Sequence, residues 1–252
     1  MKSLVKVTLA LAALLLAPVS PDAQPPPPAV NDCQLRPFTE AELPDTTCGI
    51  DVKALWETAI RDNLVAIRTT PKNAGSGVLV MKEQKCVIVT ANHVMRHWQS
   101  ATVTVRHGNL VQRTTAKVVA RDAGTDLAAL EVAGDMIGGC RGIEIAADVS
   151  LPVVGEGVVA AGFPLDSPLP IITPGKLVST NEPLKPQWLL PGERADLEAV
   201  ACEQPIFPGN SGGALVSKQG TLVGVLNHSN TVNRSYSVRP EHIRALLAKV
   251  PT

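Results

Sequence analysis

The residues that most clearly indicate a chemical reaction surround a single serine. Ser211 lies in the run Pro-Gly-Asn-Ser-Gly-Gly, residues 208–213. The glycines let the backbone turn sharply and keep bulk away from the hydroxyl, so the N–H groups of Gly209 and Ser211 could point at one spot beside it. A nucleophile beside paired backbone donors is what acyl transfer requires. Taken alone, the run also fits an ordinary glycine-rich turn.

Two further segments offer a base and an acid. His93 ends a segment that starts with the apolar run 86–89, and Asp126 opens the apolar run 126–132. A strand that ends at a histidine is a rigid platform for a general base, and a buried carboxylate on its Nδ1 fixes the tautomer. Each residue alone is more often structural. Together, in the order His, Asp, Ser, they predict a catalytic triad of His93, Asp126 and Ser211. Asp122, a rival acid, more readily stabilises its own turn.

The order of these residues separates known hydrolase classes. The run around Ser211 matches Gly-x-Ser-x-Gly, but that α/β-hydrolase motif needs its acid and histidine after the serine. Glu241 is the only later carboxylate, and about forty residues remain. The subtilisin order begins with the acid, whereas His-Asp-Ser is the chymotrypsin order.

The segments around the three residues, with Gly-Ser-Gly-Val at 75–78, resemble signatures of the trypsin-like serine peptidases with the chymotrypsin fold. The bacterial HtrA/DegP-like branch is the most similar. The resemblance covers about residues 62–240. It implies a serine endopeptidase that works through an acyl-enzyme, with Gly209 and Ser211 as the oxyanion hole. Relatives in this branch usually carry a PDZ domain after the protease domain, and we expect none here.

The pattern of short apolar runs agrees with an all-β fold. Six runs lie between residues 63 and 132 and six between 157 and 239. They predict two six-stranded antiparallel β-barrels, at about 62–140 and 150–239, inside a protease domain of residues 51–252. Helical spacing after Asp51 predicts a short N-terminal helix, and Pro240 opens a predicted C-terminal helix. The site is expected in the cleft between the barrels.

The N-terminus indicates export. Residues 1–23 resemble a signal peptide with a basic start and an apolar stretch too short to span a membrane, although an uncleaved anchor is the alternative. Residues 24–50 form a Pro-rich segment that contains Cys33 and Cys48, with a propeptide role as a weaker alternative. We expect a periplasmic or secreted protein with no stable membrane span after cleavage.

The five cysteines fit an oxidising compartment. We expect disulfides Cys33–Cys48 and Cys86–Cys140, with Cys202 free and buried. The cysteine spacing is not that of a zinc site, and His97 four residues after His93 has no third ligand, so no metal or other cofactor is expected. The formal net charge of zero gives no basic surplus for nucleic acid. The expected partners are protein or peptide substrates.

The resemblance also indicates which residues read the substrate. Pro205, six residues before Ser211, stands where trypsin-like relatives that prefer basic residues have Asp. Pro205 and Ile206 then form one wall of the P1 pocket, opposite Asn227, His228 and Ser229. This implies a small or medium aliphatic P1 residue. Recognition of a glutamyl side chain by His228 is the minor alternative, and a non-proteolytic binding or chaperone-like module, or an esterase, on the same fold competes with peptidase activity.

Overall fold

The computed structural model of the 252-residue chain describes residues 33–132, 134, 139, 141–164, 167–230 and 233–251. The predicted signal peptide, residues 1–23, and the first nine residues of the Pro-rich segment lie outside the described residues. Within those described ranges, every helix is too short or too polar to cross a membrane.

The described chain opens with short elements and one helical stretch. Three two-residue strands come first: β1 (Phe38–Thr39), β2 (Thr46–Thr47) and β3 (Ile50–Asp51). The predicted N-terminal helix is present as α1 (Val52–Leu55), which continues through a π-helical turn to Ile60. Asp51 caps it, because its carboxylate accepts a hydrogen bond from the Ala54 amide at 2.8 Å.

Six antiparallel strands close into the first barrel. They are β4 (Leu64–Thr70), β5 (Asn73–Lys82), β6 (Lys85–Ala91), β7 (Ser100–His107), β8 (Leu110–Asp122) and β9 (Leu127–Val132). Their order around the barrel is β4-β5-β6-β9-β8-β7. Alternate aliphatic side chains such as Val65, Ile67 and Val103 fill the interior, as the period of two requires. The one-turn helix α2 (Asn92–Met95) follows β6 directly.

Six further strands form the second barrel. They are β10 (Gly157–Gly162), β11 (Ile171–Pro183), β12 (Glu198–Glu203), β13 (Ala214–Ser217), β14 (Leu222–Ser229) and β15 (Arg234–Val238). The long strand β11 pairs with both β10 and β12 and so closes the ring. The C-terminal helix α3 (Pro240–Leu247) begins at proline, as predicted. The prediction of two six-stranded antiparallel barrels is confirmed.

Several strand ends differ from the sequence pattern by one to three residues, and the start of the third strand of the second barrel is one of them. The apolar alternation predicts a strand from Ala195, but β12 begins at Glu198. The preceding residues form turns instead, because the amide of Glu193 donates to the Leu190 carbonyl at 3.0 Å and that of Leu197 to the Arg194 carbonyl at 3.3 Å.

A shared apolar core holds the barrels together. It combines Val78 and Val89 of the first barrel with Val159 and Val225 of the second, and α3 contributes Leu246. Burial of about 25 cal/mol per Å² of apolar surface makes such a continuous cluster a strong constraint on the relative position of the barrels. The ends of β6 and β13, which lead to and from the candidate site residues, are thereby fixed.

Part of the predicted Pro-rich segment is built onto the second barrel. Strand β1 pairs with β11, Phe38 opposite Ile172, and both Phe38 and Ile50 are buried. The disulfide Cys33–Cys48 is present, as predicted.

The remaining cysteines also bear on the predicted pairing. Cys202 is free and buried, as predicted, and burial raises the pKa of its thiol. Cys86 is disulfide-bonded, and the partner predicted for it, Cys140, lies outside the described residues.

Candidate active site

Asp126 holds His93 through two hydrogen bonds and the preceding residue, Asn92, through a third. Its Oδ2 lies 2.5 Å from His93 Nδ1, and its Oδ1 accepts the His93 amide at 2.7 Å. Its backbone carbonyl accepts the Asn92 amide at 2.8 Å. The Asp126 residue is 2% exposed, whereas a quarter of the His93 side chain reaches solvent. The imidazole is therefore held on its Nδ1 side, and among the described residues no hydrogen bond reaches its Nε2, including none from Ser211.

The turn before β9 explains how Asp126 is placed. Asp126 has a positive φ of 53°, which is unusual for a residue other than glycine. The carboxylate of Asp122 accepts a hydrogen bond from the Thr125 amide at 3.2 Å. It also forms an ion pair with Lys249 Nζ, in the C-terminal region, at 2.7 Å. The interpretation of Asp122 as a turn-stabilising residue is confirmed.

A second contact fixes the start of α2. Arg121 donates to Asn92 Oδ1 at 3.0 Å and to the backbone carbonyl of Trp98. Asn92 directly precedes His93, so this guanidinium holds both ends of the turn that carries the imidazole. The sequence analysis assigned no role to either residue.

Ser211 lies in a tight loop between β12 and β13. The Asn210 amide donates to the Phe207 carbonyl at 2.9 Å, which closes a turn with Pro208 second and Gly209 third. Gly209 has a φ of +97°, the value that the third position of a type II turn requires. The Gly212 amide donates a hydrogen bond to the Leu226 carbonyl, and the Gly213 amide donates one to the Asn210 carbonyl. Among the described residues, no acceptor is bonded to the amides of Gly209 or Ser211.

The serine loop packs directly against the strand that leads to His93. Gly212 has a φ of +85°, and a β-carbon there would lie 2.1 Å from the Ser76 carbonyl oxygen and 2.2 Å from Thr90 Oγ1. Only glycine permits this approach. Thr90 precedes His93 by three residues, so the packing brings the loop of Ser211 to the end of β6.

Ser76 of the first barrel forms hydrogen bonds with the serine loop and with Phe163 of the second barrel. The sequence analysis assigned it no role. It is fully buried on β5. Its hydroxyl donates to the Gly209 carbonyl at 2.7 Å and accepts the Phe163 amide at 2.8 Å. Its own amide donates to the Ser211 carbonyl at 2.9 Å. The only sequence signal was its place between Gly75 and Gly77, where a strand admits close backbone approach.

The residues expected to read P1 lie on the second barrel. Ile206 is partly buried against the barrel core, and Pro205 is half-buried beside it. Asn227 and Ser229 belong to the end of β14, together with His228. The amide of Gly212 donates to the Leu226 carbonyl at 2.7 Å, which attaches this end of β14 to the serine loop.

His228 is paired with an internal carboxylate that the sequence did not indicate. Its Nε2 lies 2.9 Å from Glu193 Oε1, and Asn227 Nδ2 donates to the same oxygen at 3.3 Å. The Glu193 side chain is 1% exposed. Burial alone would raise its pKa, but the hydrogen bonds from His228, Asn227 and the Leu190 amide together hold the pKa below its ordinary value.

The loop that carries Glu193 also reaches the first barrel. The Arg194 amide donates to the Gly124 carbonyl at 3.0 Å, and Arg96 donates to the Pro191 carbonyl at 2.7 Å. Gly124 lies two residues before Asp126 and Arg96 three residues after His93. The loop therefore connects the expected P1 wall to both sides of the His93–Asp126 pair.

The arrangement has the parts of a nucleophilic acyl-transfer site. A buried carboxylate orients an imidazole, and a serine lies in a loop packed against the strand that leads to it. No hydrogen bond joins Ser211 to His93 in the described structure. Two amides, those of Gly209 and Ser211, have no internal acceptor among the described residues. Such amides are the donors that stabilise an oxyanion.

Comparison with known proteins identifies the family. Residues 75–225 match the family model of the trypsin-like peptidase domain, which is more than half of the chain. The chain belongs to the trypsin-like peptidase family. The matched region begins just before Ser76 and extends to β14, so it contains His93, Asp126 and Ser211.

Curated relatives of this trypsin-like peptidase are HtrA-type serine proteases, as the sequence predicted. It is 33% identical over 157 residues to the serine protease Do-like HtrA of Bacillus subtilis, covering 62% of this chain and 33% of that protein. It is 30% identical over 168 residues to the corresponding protein of Lactococcus lactis subsp. cremoris, covering 66% and 40%. The match thus spans between a third and two fifths of the length of these relatives.

Solved structures show the same fold. The inactive form of the Rv3671c protease has a TM-score of 0.63 at 22% identity, covering 79% of this chain and 93% of that one. The serine endoprotease from Yersinia pestis has a TM-score of 0.63 at 23% identity, covering 82% and 67%. The two-barrel architecture of this trypsin-like peptidase is therefore that of solved proteases.

Proposed function

We propose that the protein is an exported serine endopeptidase that uses Ser211 as nucleophile, His93 as general base and Asp126 as the residue that orients and stabilises the imidazole. The observation that carries this proposal is the attachment of His93 to buried Asp126 by two hydrogen bonds, beside the serine loop. A structural histidine does not need a ring that a buried carboxylate orients next to a glycine-rich serine loop.

The proposed reaction proceeds through an acyl-enzyme. Ser211 Oγ attacks the carbonyl carbon of a peptide bond while His93 Nε2 takes the hydroxyl proton. The carbonyl oxygen becomes an oxyanion that the amides of Gly209 and Ser211 stabilise, each such donor being worth about 3 kcal/mol. Protonated His93 gives its proton to the leaving amine, and water then releases the acyl group by the same steps in reverse.

We further propose a small or medium aliphatic P1 residue. Pro205 and Ile206 supply an apolar wall without a carboxylate, so a basic side chain would have no partner there. The pairing of His228 with Glu193 argues against the glutamyl alternative, because the imidazole already has a buried carboxylate as its partner. Breaking this pair to bind a substrate carboxylate would leave Glu193 buried and unpaired, which costs several kcal/mol.

Export is supported by the cysteines. Cys33–Cys48 and the disulfide-bonded Cys86 require an oxidising environment, which the cytosol of most bacteria does not provide. Protein or peptide substrates follow from the proposed activity.

Cleavage of an unfolded protein and of a mixed peptide library tests the proposal. The purified protein is expected to cut internal bonds after Ala, Val, Leu or Ile, and Ser211→Ala is expected to abolish cutting with its thermal unfolding unchanged within about 0.5 kcal/mol. Turnover of esters without cleavage of any peptide would indicate the esterase alternative. Cleavage dominated by Lys, Arg or Glu at P1 would contradict the proposed specificity.

A further inference from the structure

A groove with three arginines lies on the outer face of the first barrel. It has a volume of about 510 Å³. We call it the arginine groove and define it by Arg68, Arg106 and Arg113 around a floor that includes Ala66, Thr104 and Gly75. Phe163 and Pro168 of the second barrel complete one side.

Strand register brings the groove residues together. Ala66 of β4 pairs with Thr104 of β7, and Thr104 pairs with Arg113 of β8, so these three residues form one row across the sheet. Arg68 lies two residues further along β4. The shorter side chains of Ala66, Thr102 and Thr104 and the longer ones of the three arginines line the groove together.

The groove is a local concentration of positive charge in a chain with no net charge. None of its described lining residues is acidic. Arg106 has a partner in Glu40, at 3.6 Å, and Arg68 donates to the Pro71 carbonyl at 3.3 Å. In the part of the chain that the structure describes, no carboxylate pairs with Arg113.

The groove begins at the candidate active site. Gly75 is one of its floor residues, and a β-carbon there would lie 3.2 Å from the Ser211 carbonyl oxygen. The proposed P1 walls approach the serine loop from the second barrel, where Gly212 is bonded to Leu226. Gly75 approaches the same loop from the first barrel. A substrate whose P1 side chain enters the second barrel therefore continues, beyond the scissile bond, over Gly75 and into the groove.

We propose that the arginine groove binds acidic side chains of the substrate on the leaving-group side, two to four residues beyond the scissile bond. The inference rests on the proposed peptidase function and adds a charge preference to it. Neighbouring strands lie about 4.8 Å apart and each residue advances a strand by about 3.3 Å, which places Arg68 and Arg113 roughly 7 to 15 Å from Ser76. An extended substrate covers that distance in about two to four residues. Arginine suits this role because its planar fork of donors matches a carboxylate.

Three internally quenched peptides test this proposal. They share one sequence up to the residue after the scissile bond and differ in the next three positions, which are Asp-Glu-Asp, Asn-Gln-Asn or Lys-Lys-Lys. The acidic peptide is expected to have a kcat/KM about tenfold above the neutral one, since several partly exposed charge pairs contribute a few tenths to 1 kcal/mol each. The ratio is expected to fall towards one as salt is raised to about 0.5 M, where screening shortens the range of surface charges.

Two variants link the preference to the groove. Arg113→Glu is expected to lower the ratio of acidic to lysine peptide at least tenfold, because it replaces attraction by repulsion. Lys117→Glu is the matched control: Lys117 is an exposed residue of the same strand, four positions along, and does not line the groove. It makes the same change in net charge and is expected to keep the preference within about twofold.

The outcomes separate the two proposals. Cleavage of all three peptides at the same bond with equal kcat/KM would overturn the acidic preference while leaving the peptidase function standing. An equal effect of Arg113→Glu and Lys117→Glu would also overturn the groove, because the preference would then follow net charge. Absence of cleavage of every peptide would overturn the proposed function, and this inference with it.

Discussion

Replacing Ser76 by alanine should slow the reaction of Ser211 although Ser76 does not touch the substrate. The Ser76 hydroxyl holds the Gly209 carbonyl at 2.7 Å and receives the Phe163 amide at 2.8 Å. The Gly209 carbonyl belongs to the same residue as one proposed oxyanion donor. Its fixed direction therefore constrains the turn that presents the amides of Gly209 and Ser211.

The magnitude follows from the two lost hydrogen bonds. Ser76→Ala leaves the Gly209 carbonyl and the Phe163 amide without this partner at a fully buried position. An unsatisfied buried group costs about 1–3 kcal/mol, so two such groups predict a loss of about 2–6 kcal/mol in the free energy of unfolding. A complete loss of one oxyanion donor costs about 100- to 1,000-fold in rate, so a displaced turn is expected to slow the reaction of Ser211 by about 10- to 100-fold.

Urea unfolding and the rate of fluorophosphonate labelling measure the two effects separately. Ser217→Ala is the matched control, because Ser217 is also buried and its hydroxyl bonds Thr221 at 2.8 Å without contacting the serine loop. It should lower stability and leave the labelling rate unchanged. A folded Ser76→Ala protein that is labelled at the wild-type rate would refute the positioning role, and so would equal slowing by Ser217→Ala.

Three further predictions concern stability. Hydrogen bonds hold the pKa of Glu193 in the folded protein below its ordinary 4.5. Their contribution to stability is complete above pH 4.5 and is lost as the pH falls through the pKa of the folded state. Glu193→Gln should therefore reduce the pH dependence of the free energy of unfolding between pH 6 and 3. Gly212→Ala places a methyl group 2.1 Å from the Ser76 carbonyl at positive φ, and should cost at least about 3 kcal/mol or prevent folding, seen by circular dichroism. The pair Cys33→Ser and Cys48→Ser opens a link across 15 residues and should cost about 3 kcal/mol in urea. Reduced wild type should lose at least as much, because reduction also opens the disulfide of Cys86.

Much of the fold could be predicted because it depends on local patterns. Strands such as β10 are short β-branched or small-residue runs bounded by turns, and their number and position followed from period-two alternation. The start of β12 could not be predicted in this way. The turns before it depend on Glu193, whose partner His228 lies 35 residues further along the chain.

The candidate site also contains some residues that the sequence predicts and others that it does not. His93, Asp126 and Ser211 were accessible from sequence because their residue types and order have chemical meaning. Ser76 and Glu193 act through contacts with residues distant in sequence, and a buried serine on a strand has no signal of its own. The arginine groove depends on register, since Arg68 and Arg113 are 45 residues apart in the sequence and lie on strands that β7 separates in the sheet.

The central claim is that Ser211 is a nucleophile activated by His93, and intact-mass labelling with a fluorophosphonate tests it most directly. The account predicts one adduct per chain, mapped to Ser211 by peptide analysis, and loss of the adduct in His93→Ala protein that remains folded. A folded wild-type protein that takes up no adduct, or an adduct that persists at Ser211 at the same rate without His93, would contradict it.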